Sequence, residues 1–224
     1  LTWAQMRGND SAAVASGQVT GLELMERAGA GVVEAVFEEW PELSEGAHRA
    51  VVVCGPGNNG GDGFVVARLL KERGWDVEVF FYGDPGKLSL DARTNYERWE
   101  NLGTVTSLAD ENFLDGLNAL YAAHFKTQIV FDALFGIGLT RDTPHLIEDL
   151  AQDFPDTLSP DGGPIPIVAV DIPSGLCSDA GAERGAALKA DLTVTFHAAK
   201  RGHALGVGPE TCGKVVIKDI GLDD

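Results

Sequence analysis

The chain has 224 residues, 44% of them hydrophobic, which is enough for one α/β domain with a substantial core. Its 17 basic and 34 acidic residues give a net charge of −17, which argues against a nucleic-acid backbone or an anionic membrane as the main partner. Three cysteines without metal-ligand spacing argue against a disulfide framework and favour a reducing compartment, and no apolar run approaches the roughly 18 residues of a membrane span. We therefore expect a cytoplasmic protein with a single domain over residues 1–224.

The chain begins with two predicted helices. Residues 2–17 have weak helical periodicity. A stronger helix starts at Thr20, because Thr20 and Glu23 have the spacing of a capping box. Apolar residues then recur at helical spacing until Pro41 ends the pattern, so one face of this helix should pack on a sheet.

The stretch from Val51 to Arg68 combines a strand, a glycine-rich turn and a helix without interruption. Its first residues are β-branched and apolar, as expected for a strand buried on both faces of a parallel sheet. Five glycines between positions 55 and 63 would let a loop turn tightly and point its N–H groups at a ligand. Asn58, Asn59 and Asp62 add hydrogen-bonding groups and oxygens for a hard cation. With the positive end of the following helix facing this loop, we expect it to hold an anion or a polar ligand.

Gly55, Gly57 and Gly60 also match the dinucleotide fingerprint Gly-x-Gly-x-x-Gly. The ribose-binding acid expected about 20 residues later is poorly placed, because Glu78 lies inside the predicted strand 77–82. An NAD-dependent oxidoreductase would need that acid and a hydride-transfer partner, and the sequence identifies neither clearly. This reading remains an alternative.

Strands and helices alternate through the rest of the chain. Further strands are predicted at 77–82, around Val105, and at 127–134, 167–172, 191–196 and 214–220. Helices are predicted at 89–101, 109–124 and 143–154, and residues 197–213 are predicted to form a glycine-rich loop. Such alternation indicates an α/β fold with a twisted, mostly parallel central sheet covered on both faces.

Polar side chains gather at or just after the predicted strand ends. Asn59, Asp132, Asp171 and Ser174 all have this position, and the carboxyl ends of parallel strands share one edge of the sheet. Oxygen ligands without nearby Cys or His suit a hard ion and argue against zinc. One aspartate of this kind can equally cap a helix or order a loop, but several strand ends together indicate a site.

These motifs resemble the NAD(P)H-hydrate epimerases, the YjeF N-terminal domain family, along nearly the whole chain. The longest matching segments are Gly-Pro-Gly-Asn-Asn-Gly-Gly-Asp-Gly at 55–63, Asp-Ala-Leu-Phe-Gly-Ile-Gly-Leu at 132–139 and Asp-Ile-Pro-Ser-Gly-Leu at 171–176, with others at 24–29, 190–196 and 219–222. The resemblance implies a Rossmann-like three-layer αβα sandwich, often a homodimer. It also implies an isomerase that interconverts the R and S epimers of NADHX and NADPHX, the hydrated damage products of the reduced cofactors.

The resemblance further implies a potassium site and a substrate site. Asn59, Asp132 and Ser174 would bind one potassium ion per subunit. Asp171 is the first candidate for the catalytic acid and base, and Asp142 is the second. The substrate site would be lined by Asn58, Asn59, Gly60, Gly61, Asp62, Gly136, Ile137, Gly138, Leu139, Thr140, Arg141, Asp142 and Asp171.

Epimerisation can proceed by loss of hydroxide from C6 and return of water to the other face of the ring, with one carboxylate carrying the proton. Ile137 stands where relatives often have threonine, which removes one hydroxyl contact and leaves the backbone N–H groups. Relatives also occur fused to an ADP- or ATP-dependent dehydratase, so the chain is either complete or one domain of a bifunctional enzyme. A non-catalytic nucleotide- or RNA-related scaffold of the same fold is a further alternative, which the intact motifs and the negative charge disfavour.

Overall fold

The computed structural model describes residues 1–109, 113–139, 142–154 and 162–222. Strands β1 to β7 lie at Arg49–Cys54, Asp76–Phe81, Val105–Ser107, Ile129–Ala133, Ile167–Val170, Leu192–Phe196 and Lys214–Lys218. Helices α1 to α7 lie at Trp3–Ala15, Gly21–Glu39, Asn58–Glu72, Leu90–Glu100, Phe113–His124, His145–Asp153 and Gly208–Thr211. The predicted strands and long helices are therefore present, with ends that differ by a few residues.

The strands of the described residues form one seven-stranded sheet in the order β3-β2-β1-β4-β5-β6-β7. Every neighbouring pair is parallel, which confirms the predicted α/β fold. The chain builds outward from β1 to β3 and then returns to place β4 on the other side of β1. This reversal opens a crevice at the carboxyl ends of β1 and β4, where open α/β sheets bind their ligands.

Helices cover both faces of the sheet. Val52 and Phe81 pack in a core with residues of α2, α3 and α4. Val51 and Val53 pack on the opposite face in a second core that includes Leu120 of α5. Successive residues of β1 therefore enter different cores, which is why this strand is apolar throughout, as the sequence predicts.

Helix α2 begins at the predicted capping box. Thr20 Oγ1 accepts a hydrogen bond from the Glu23 N–H at 3.1 Å, and the Glu23 carboxylate accepts one from the Thr20 N–H at 2.8 Å. The helix ends at Glu39, before Pro41. Among the described residues, no helix combines the length and the apolar character that a membrane span requires.

The glycine-rich segment after β1 differs from its prediction. The sequence predicts a loop through Gly63, whereas α3 begins at Asn58. These glycines, all of them described, have no positive φ, so they are needed for close packing rather than for turning. A Cβ on Gly60 would lie 2.0 Å from the Gly55 carbonyl oxygen, and one on Gly63 would lie 2.6 Å from the Ala133 Cβ. Helix α3 therefore lies closer to β1 and β4 than side chains would permit.

The segment 197–213 is also more regular than the predicted loop. It contains a 3₁₀ turn at Arg201–His203 and the short helix α7. The Gly202 N–H donates to the Ser178 carbonyl at 2.6 Å, and a Cβ on Gly208 would lie 1.9 Å from the Gly202 carbonyl oxygen. Backbone-to-backbone packing thus holds this segment against the loop that follows β5.

We expect Gly55→Ala to lower the free energy of unfolding by about 3 kcal/mol. The added Cβ would lie 1.7 Å from the Leu134 carbonyl oxygen, so the turn after β1 or the loop after β4 would have to move. Equilibrium unfolding in urea measures this change. Gly8→Ala is the matched control: a Cβ at this exposed position of α1 meets no described atom outside its own helix within 4 Å, and alanine stabilises helix interiors by about 1 kcal/mol. A Gly55→Ala variant as stable as the wild type would contradict this account of the packing.

Candidate active site

Three loops meet at the carboxyl edge of the sheet. On the crevice floor, the Gly55 N–H donates to the Ala133 carbonyl at 3.0 Å, which joins the end of β1 to the end of β4. The loop after β4 is joined in turn to the loop after β5, where Ser178 Oγ donates to the Ile137 carbonyl at 3.4 Å. The motifs that carry the predicted site residues are therefore neighbours in space.

Helix α3 directs its N-terminus to this edge. Its N-cap is Gly57, and no side chain of the described residues caps it, so the first N–H groups of the helix are available to a ligand. Gly57 and Asn58 are both exposed. Asn58 Oδ1 accepts a hydrogen bond from Ser89 Oγ at 2.8 Å. A phosphate group fits such a positively polarised helix end.

The Asn59 side chain is buried beside the loop after β4. A Cβ on Gly136 would lie 3.1 Å from Asn59 Cγ, and Asn59 is only 8% exposed. Its Nδ2 has no hydrogen-bond partner within the described part of the chain, and an unsatisfied buried donor costs about 1–3 kcal/mol. Because a 180° rotation of the amide exchanges Nδ2 with Oδ1, this position can present either a donor or an oxygen ligand.

Asp132, in β4, ties the loop after its own strand to the loop after β5. Its Oδ1 accepts hydrogen bonds from Ser174 Oγ at 2.5 Å and from the Leu134 N–H at 3.2 Å. Its Oδ2 accepts from the Ser174 N–H at 2.7 Å. Ser174 Oγ in turn accepts from the Phe135 N–H at 2.9 Å. Both loops are thereby held by one carboxylate.

Burial raises the pKa of Asp132 to about 6, against the hydrogen bonds from Ser174 and Leu134, which lower it. At pH 7 the group is therefore mainly ionised. No ion pair from the described residues offsets this charge. A cation would do so, and Asn59, Asp132 and Ser174 border the same loop at 134–136. Their amide, carboxylate and hydroxyl oxygens suit a hard cation.

Asp171 follows β5 directly and has a φ of +69°, a left-handed conformation that Asp adopts more readily than most residues. Its N–H donates to the Val194 carbonyl at 2.8 Å. Its Oδ1 accepts from Thr195 Oγ1 at 3.0 Å and forms a short ion pair with Lys200 Nζ. Within the described residues, the hydrogen bonds to this carboxylate all end on Oδ1, which leaves Oδ2 for a ligand.

The Lys200 side chain is 1% exposed, and its ammonium group has three acceptors. These are Asp171 Oδ1, Thr195 Oγ1 at 2.6 Å and the Phe196 carbonyl at 3.3 Å. Because both charges are buried, removal of either partner would leave the other one uncompensated. The sequence analysis placed Lys200 in a loop and assigned it no role. A lysine four residues beyond an apolar strand was the one signal available for it.

His203 forms hydrogen bonds with the backbone of both Lys200 and Asp171. The sequence analysis assigned it no role either. Its Nδ1 accepts from the Lys200 N–H at 3.3 Å, and its Nε2 lies 3.1 Å from the Asp171 carbonyl oxygen. Because a carbonyl accepts only, these partners require the neutral tautomer with its proton on Nε2. Burial lowers the pKa of His203, which keeps the ring neutral at pH 7.

The predicted substrate residues of α3 have different surroundings. Asn58 is exposed at the helix start, whereas Gly60 and Gly61 are buried. A Cβ on Gly61 would lie 2.8 Å from Met25 Sδ, so this glycine packs against α2. Asp62 is half-buried one residue further along the helix. Contact of these residues with substrate stays a prediction.

The loop after β4 contains the other predicted substrate residues. Gly136 to Leu139 are half-buried or exposed, and Asp142 is exposed. Thr140 and Arg141 lie outside the described residues. Leu139 and Asp142 line a cavity of about 270 Å³ that Tyr82 and Phe135 also border. The two acid and base candidates therefore have different neighbours: Asp171 has the buried Lys200 cluster, and Asp142 has an aromatic cavity.

Comparison with known proteins identifies relatives along the whole chain. Residues 21–202 match the family model described as YjeF-related protein N-terminus. The NAD(P)H-hydrate epimerase of Roseobacter litoralis is 43% identical over 99% of this chain and 98% of the relative, and that of Rhodobacter capsulatus has the same identity and coverage. The bifunctional NAD(P)H-hydrate repair enzyme Nnr of Salinibacter ruber is 37% identical over 99% of this chain but only 40% of its own length.

A solved structure has the same fold. The crystal structure of yeast ynu0, YNL200c, matches with a TM-score of 0.73 over 98% of this chain and 87% of that chain, at 24% sequence identity. The family match spans most of the described sheet and each of the loops that form the site. This chain therefore belongs to the family of YjeF-related protein N-termini.

Proposed function

We propose that this chain is an NAD(P)H-hydrate epimerase, an isomerase that interconverts the R and S epimers of NADHX and NADPHX. Relatives that it matches over nearly their whole length have this name. The observation that carries the proposal is the buried pair of Asp171 and Lys200 at the same sheet edge as the uncapped N-terminus of α3. One edge thus offers a group that can carry a proton and a place for phosphate.

In this proposal the substrate's pyrophosphate lies at the start of α3, at Gly57 and Asn58. A chain with a net charge of −17 repels phosphate over long range. The partial positive charge of the helix end acts at short range and offsets this repulsion locally. The hydrated nicotinamide ring then extends toward β5 and β6, where Asp171 presents its free Oδ2.

The reaction is an elimination followed by an addition. The C6–O bond breaks as the ring-nitrogen lone pair forms a C=N bond, and the departing hydroxide takes a proton and leaves as water. Water then adds to the opposite face of C6 and returns one proton, so atoms and charge balance over the cycle. Asp171 Oδ2 carries this proton, and its carboxylate stabilises the cation that exists between the two steps.

Lys200 holds the Asp171 carboxylate in place in this scheme. Its ammonium is buried and bonded to Asp171 Oδ1, which leaves Oδ2 to exchange the proton with the departing hydroxyl group and with water. Thr195 and the Phe196 carbonyl keep Lys200 aligned. Lys200 is thus a positioning residue, and Asp171 is the catalytic one.

We also propose that Asn59, Asp132 and Ser174 bind one potassium ion per subunit. Two observations support this assignment. Asn59 Nδ2 has no hydrogen-bond partner within the described residues, and the buried carboxylate of Asp132 has no ion pair there, so an ion with its ligand shell would supply what each group lacks. When bound, the ion would offset part of the negative charge of the phosphates and of Asp132. The chain's own side chains carry the proton steps.

Two alternative functions are less well supported. A dehydrogenase would need an acid at the end of β2, where this chain has Tyr82. Glu78 lies within the strand, 4.0 Å from Arg49, and Asp84 accepts a hydrogen bond from the Gly86 N–H at 2.8 Å, which caps a turn. A scaffold for RNA is disfavoured by the net charge of −17.

Further proposals about the chain's partners and location rest on the family resemblance and on composition. We propose that it forms a homodimer and that it works with an ADP- or ATP-dependent NAD(P)H-hydrate dehydratase. That dehydratase would be either a separate protein or a fused domain, as the name of the bifunctional relative suggests. Its three free cysteines suit a reducing compartment, and we propose the cytoplasm.

We expect the purified chain to accelerate conversion of R-NADPHX to S-NADPHX beyond the spontaneous rate, measured by chromatography.

Asp171→Asn should lower kcat by about 10²- to 10⁴-fold, which is the usual contribution of a positioned acid and base. Lys200→Met should lower it by a comparable factor, because it leaves the buried Asp171 carboxylate without the charge that positions it. Lys214→Met is the matched control, since Lys214 is exposed and pairs with Glu39. An Asp171→Asn variant that binds NADPHX and epimerises it normally would rule out this role.

The pH dependence of stability tests the buried carboxylate of Asp132. Its pKa of about 6 in the folded chain exceeds the value of about 3.9 expected when unfolded. The folded state therefore retains the proton more strongly, and the stability that this contributes is present below pH 4 and lost as the pH rises through 6. In choline chloride, we expect the wild type to lose about 3 kcal/mol relative to Asp132→Asn between pH 4 and pH 7.5.

Potassium should restore part of that loss at pH 7.5, because the ion binds the ionised carboxylate. The measurement is urea unfolding in potassium chloride and in choline chloride at equal ionic strength. Asp142→Asn changes an exposed carboxylate and should respond to pH and potassium as the wild type does. Equal stability of the wild type in both salts would contradict the ion site, and a wild-type profile parallel to that of Asp132→Asn would contradict the raised pKa.

A further inference from the structure

An aromatic cavity lies beside the crevice and is not used in the chemistry above. Its volume is about 270 Å³, and its walls are Tyr82, Phe135, Leu139, Asp142, Thr143 and Pro144. Pockets that enclose a whole small ligand usually have volumes of about 300–1,000 Å³. This cavity therefore fits one ring system of a larger ligand.

Two aromatic rings, those of Tyr82 and Phe135, line the cavity, and the N–H group of each residue is hydrogen-bonded. The Tyr82 N–H donates to the Cys54 carbonyl at 2.9 Å, and the Phe135 N–H donates to Ser174 Oγ at 2.9 Å. The ring centroids are 6.1 Å apart, with an interplanar angle of 70°. Because the backbone at both residues is held by these bonds, the rings offer a preformed apolar surface to a planar base.

Of the described residues that line the cavity, the charged one is Asp142. The exposed carboxylate of Asp142 would repel a phosphate group, but it can accept a hydrogen bond from an exocyclic amine. Adenine has such an amine together with an aromatic face on each side. The hydrated nicotinamide ring is partly saturated, so it offers less surface for contact with Tyr82 and Phe135.

The strand order separates the two ends of the substrate. Tyr82 follows β2 and Asp171 follows β5, with β1 and β4 between them. Three strand spacings of about 4.8 Å put roughly 14 Å between these ends, and the N-terminus of α3 follows β1 within that interval. A dinucleotide with its pyrophosphate at α3 and its reacting ring at Asp171 therefore extends its other base toward Tyr82.

We propose that Tyr82, Phe135 and Asp142 form the subsite for the adenine base of NADHX and NADPHX. This inference rests on the proposed epimerase function, since it takes the hydrated ring to lie at Asp171. Both substrates share the adenine base, and this base does not change during the reaction. The subsite therefore contributes to KM through uniform binding and leaves kcat unaltered. It also makes Asp142 a binding residue and leaves Asp171 as the proton carrier.

Kinetics with two substrates test the subsite. One is NADHX, and the other is the hydrated nicotinamide mononucleotide, which lacks the adenylate half. We expect Tyr82→Ala to raise KM for NADHX about tenfold, with kcat within twofold of the wild type, because contact of a base with an aromatic ring contributes at about this level. For the mononucleotide, kcat/KM should be the same in Tyr82→Ala and wild type. Tyr82→Phe, which keeps the ring, should stay within threefold of the wild-type KM.

Binding of ADP, measured by calorimetry, gives a readout that needs no catalysis. Tyr82→Ala should bind ADP about tenfold more weakly than the wild type does, and thermal melting checks that the variant is folded. Phe125→Ala is the matched control, because it removes an aromatic ring that is 60% exposed and lies just after α5, outside the cavity; its ADP affinity should equal that of the wild type.

The outcomes separate the subsite from the epimerase function. If Tyr82→Ala loses kcat/KM equally for NADHX and for the mononucleotide, the cavity binds the hydrated ring and the adenine assignment is overturned. If the wild type epimerises NADHX and Tyr82→Ala leaves its KM unaltered, the subsite is wrong and the function stands. If the wild type binds ADP through Tyr82 but accelerates no epimerisation, the subsite stands and the proposed function fails.

Discussion

Helix α3 lies so close to the ends of β1 and β4 that glycine is required at the positions where the backbones approach each other. A Cβ on Gly55 would overlap the Leu134 carbonyl oxygen, and one on Gly60 would overlap the Gly55 carbonyl oxygen. Because the backbones are this close, the positive end of α3 reaches the crevice where the strand order reverses. The same contact fixes the position of the loop after β4 relative to β1, and this loop borders both Asn59 and the aromatic cavity. The proposed positions of the phosphate, the ion and the base all depend on this contact.

The cluster of Asp171, Lys200 and His203 after β5 costs free energy to form, and other interactions of the fold offset this cost. Asp171 has a left-handed backbone, which costs of order 1–3 kcal/mol in a residue other than glycine. Bonds at both ends of that residue hold it, since its N–H donates to the Val194 carbonyl and its own carbonyl accepts from His203. The buried charge pair with Lys200 adds a desolvation cost. A strained backbone and a buried ion pair in one place are typical of a reacting centre.

Charge is distributed unevenly over an acidic chain. In our proposal the phosphate end of the substrate meets helix N–H groups and a cation beside Asp132, whereas its base end meets aromatic rings and the carboxylate of Asp142. Under this proposal the two environments bind opposite ends of one dinucleotide. We place the reacting ring beyond both, at Asp171, the carboxylate that pairs with a buried lysine among the described residues of this edge.

The sequence by itself determined the α/β fold, the strand and helix positions and the motifs of the family, because periodicity, capping boxes and glycine-rich turns are local properties. Thr20 with Glu23 is an example: the two residues that predict the helix start also make its capping hydrogen bonds. Local pattern failed at the start of α3, where a run of glycine and asparagine is typical of a loop and only packing against Ala133 and Met25 explains a helix.

The sequence also placed Asp132, Asp171 and Ser174 at one edge, because parallel strands align their carboxyl ends. Only the tertiary structure decided which of these carboxylates pairs with Lys200, that His203 supports the pair, and that Asp142 faces Tyr82 and Phe135 instead. Lys200 and His203 lie 29 and 32 residues beyond Asp171 along the chain, and Tyr82 is still further from Asp142. Their contacts depend on strand order, on burial and on how closely backbones approach, and none of these is a property of a short stretch of sequence.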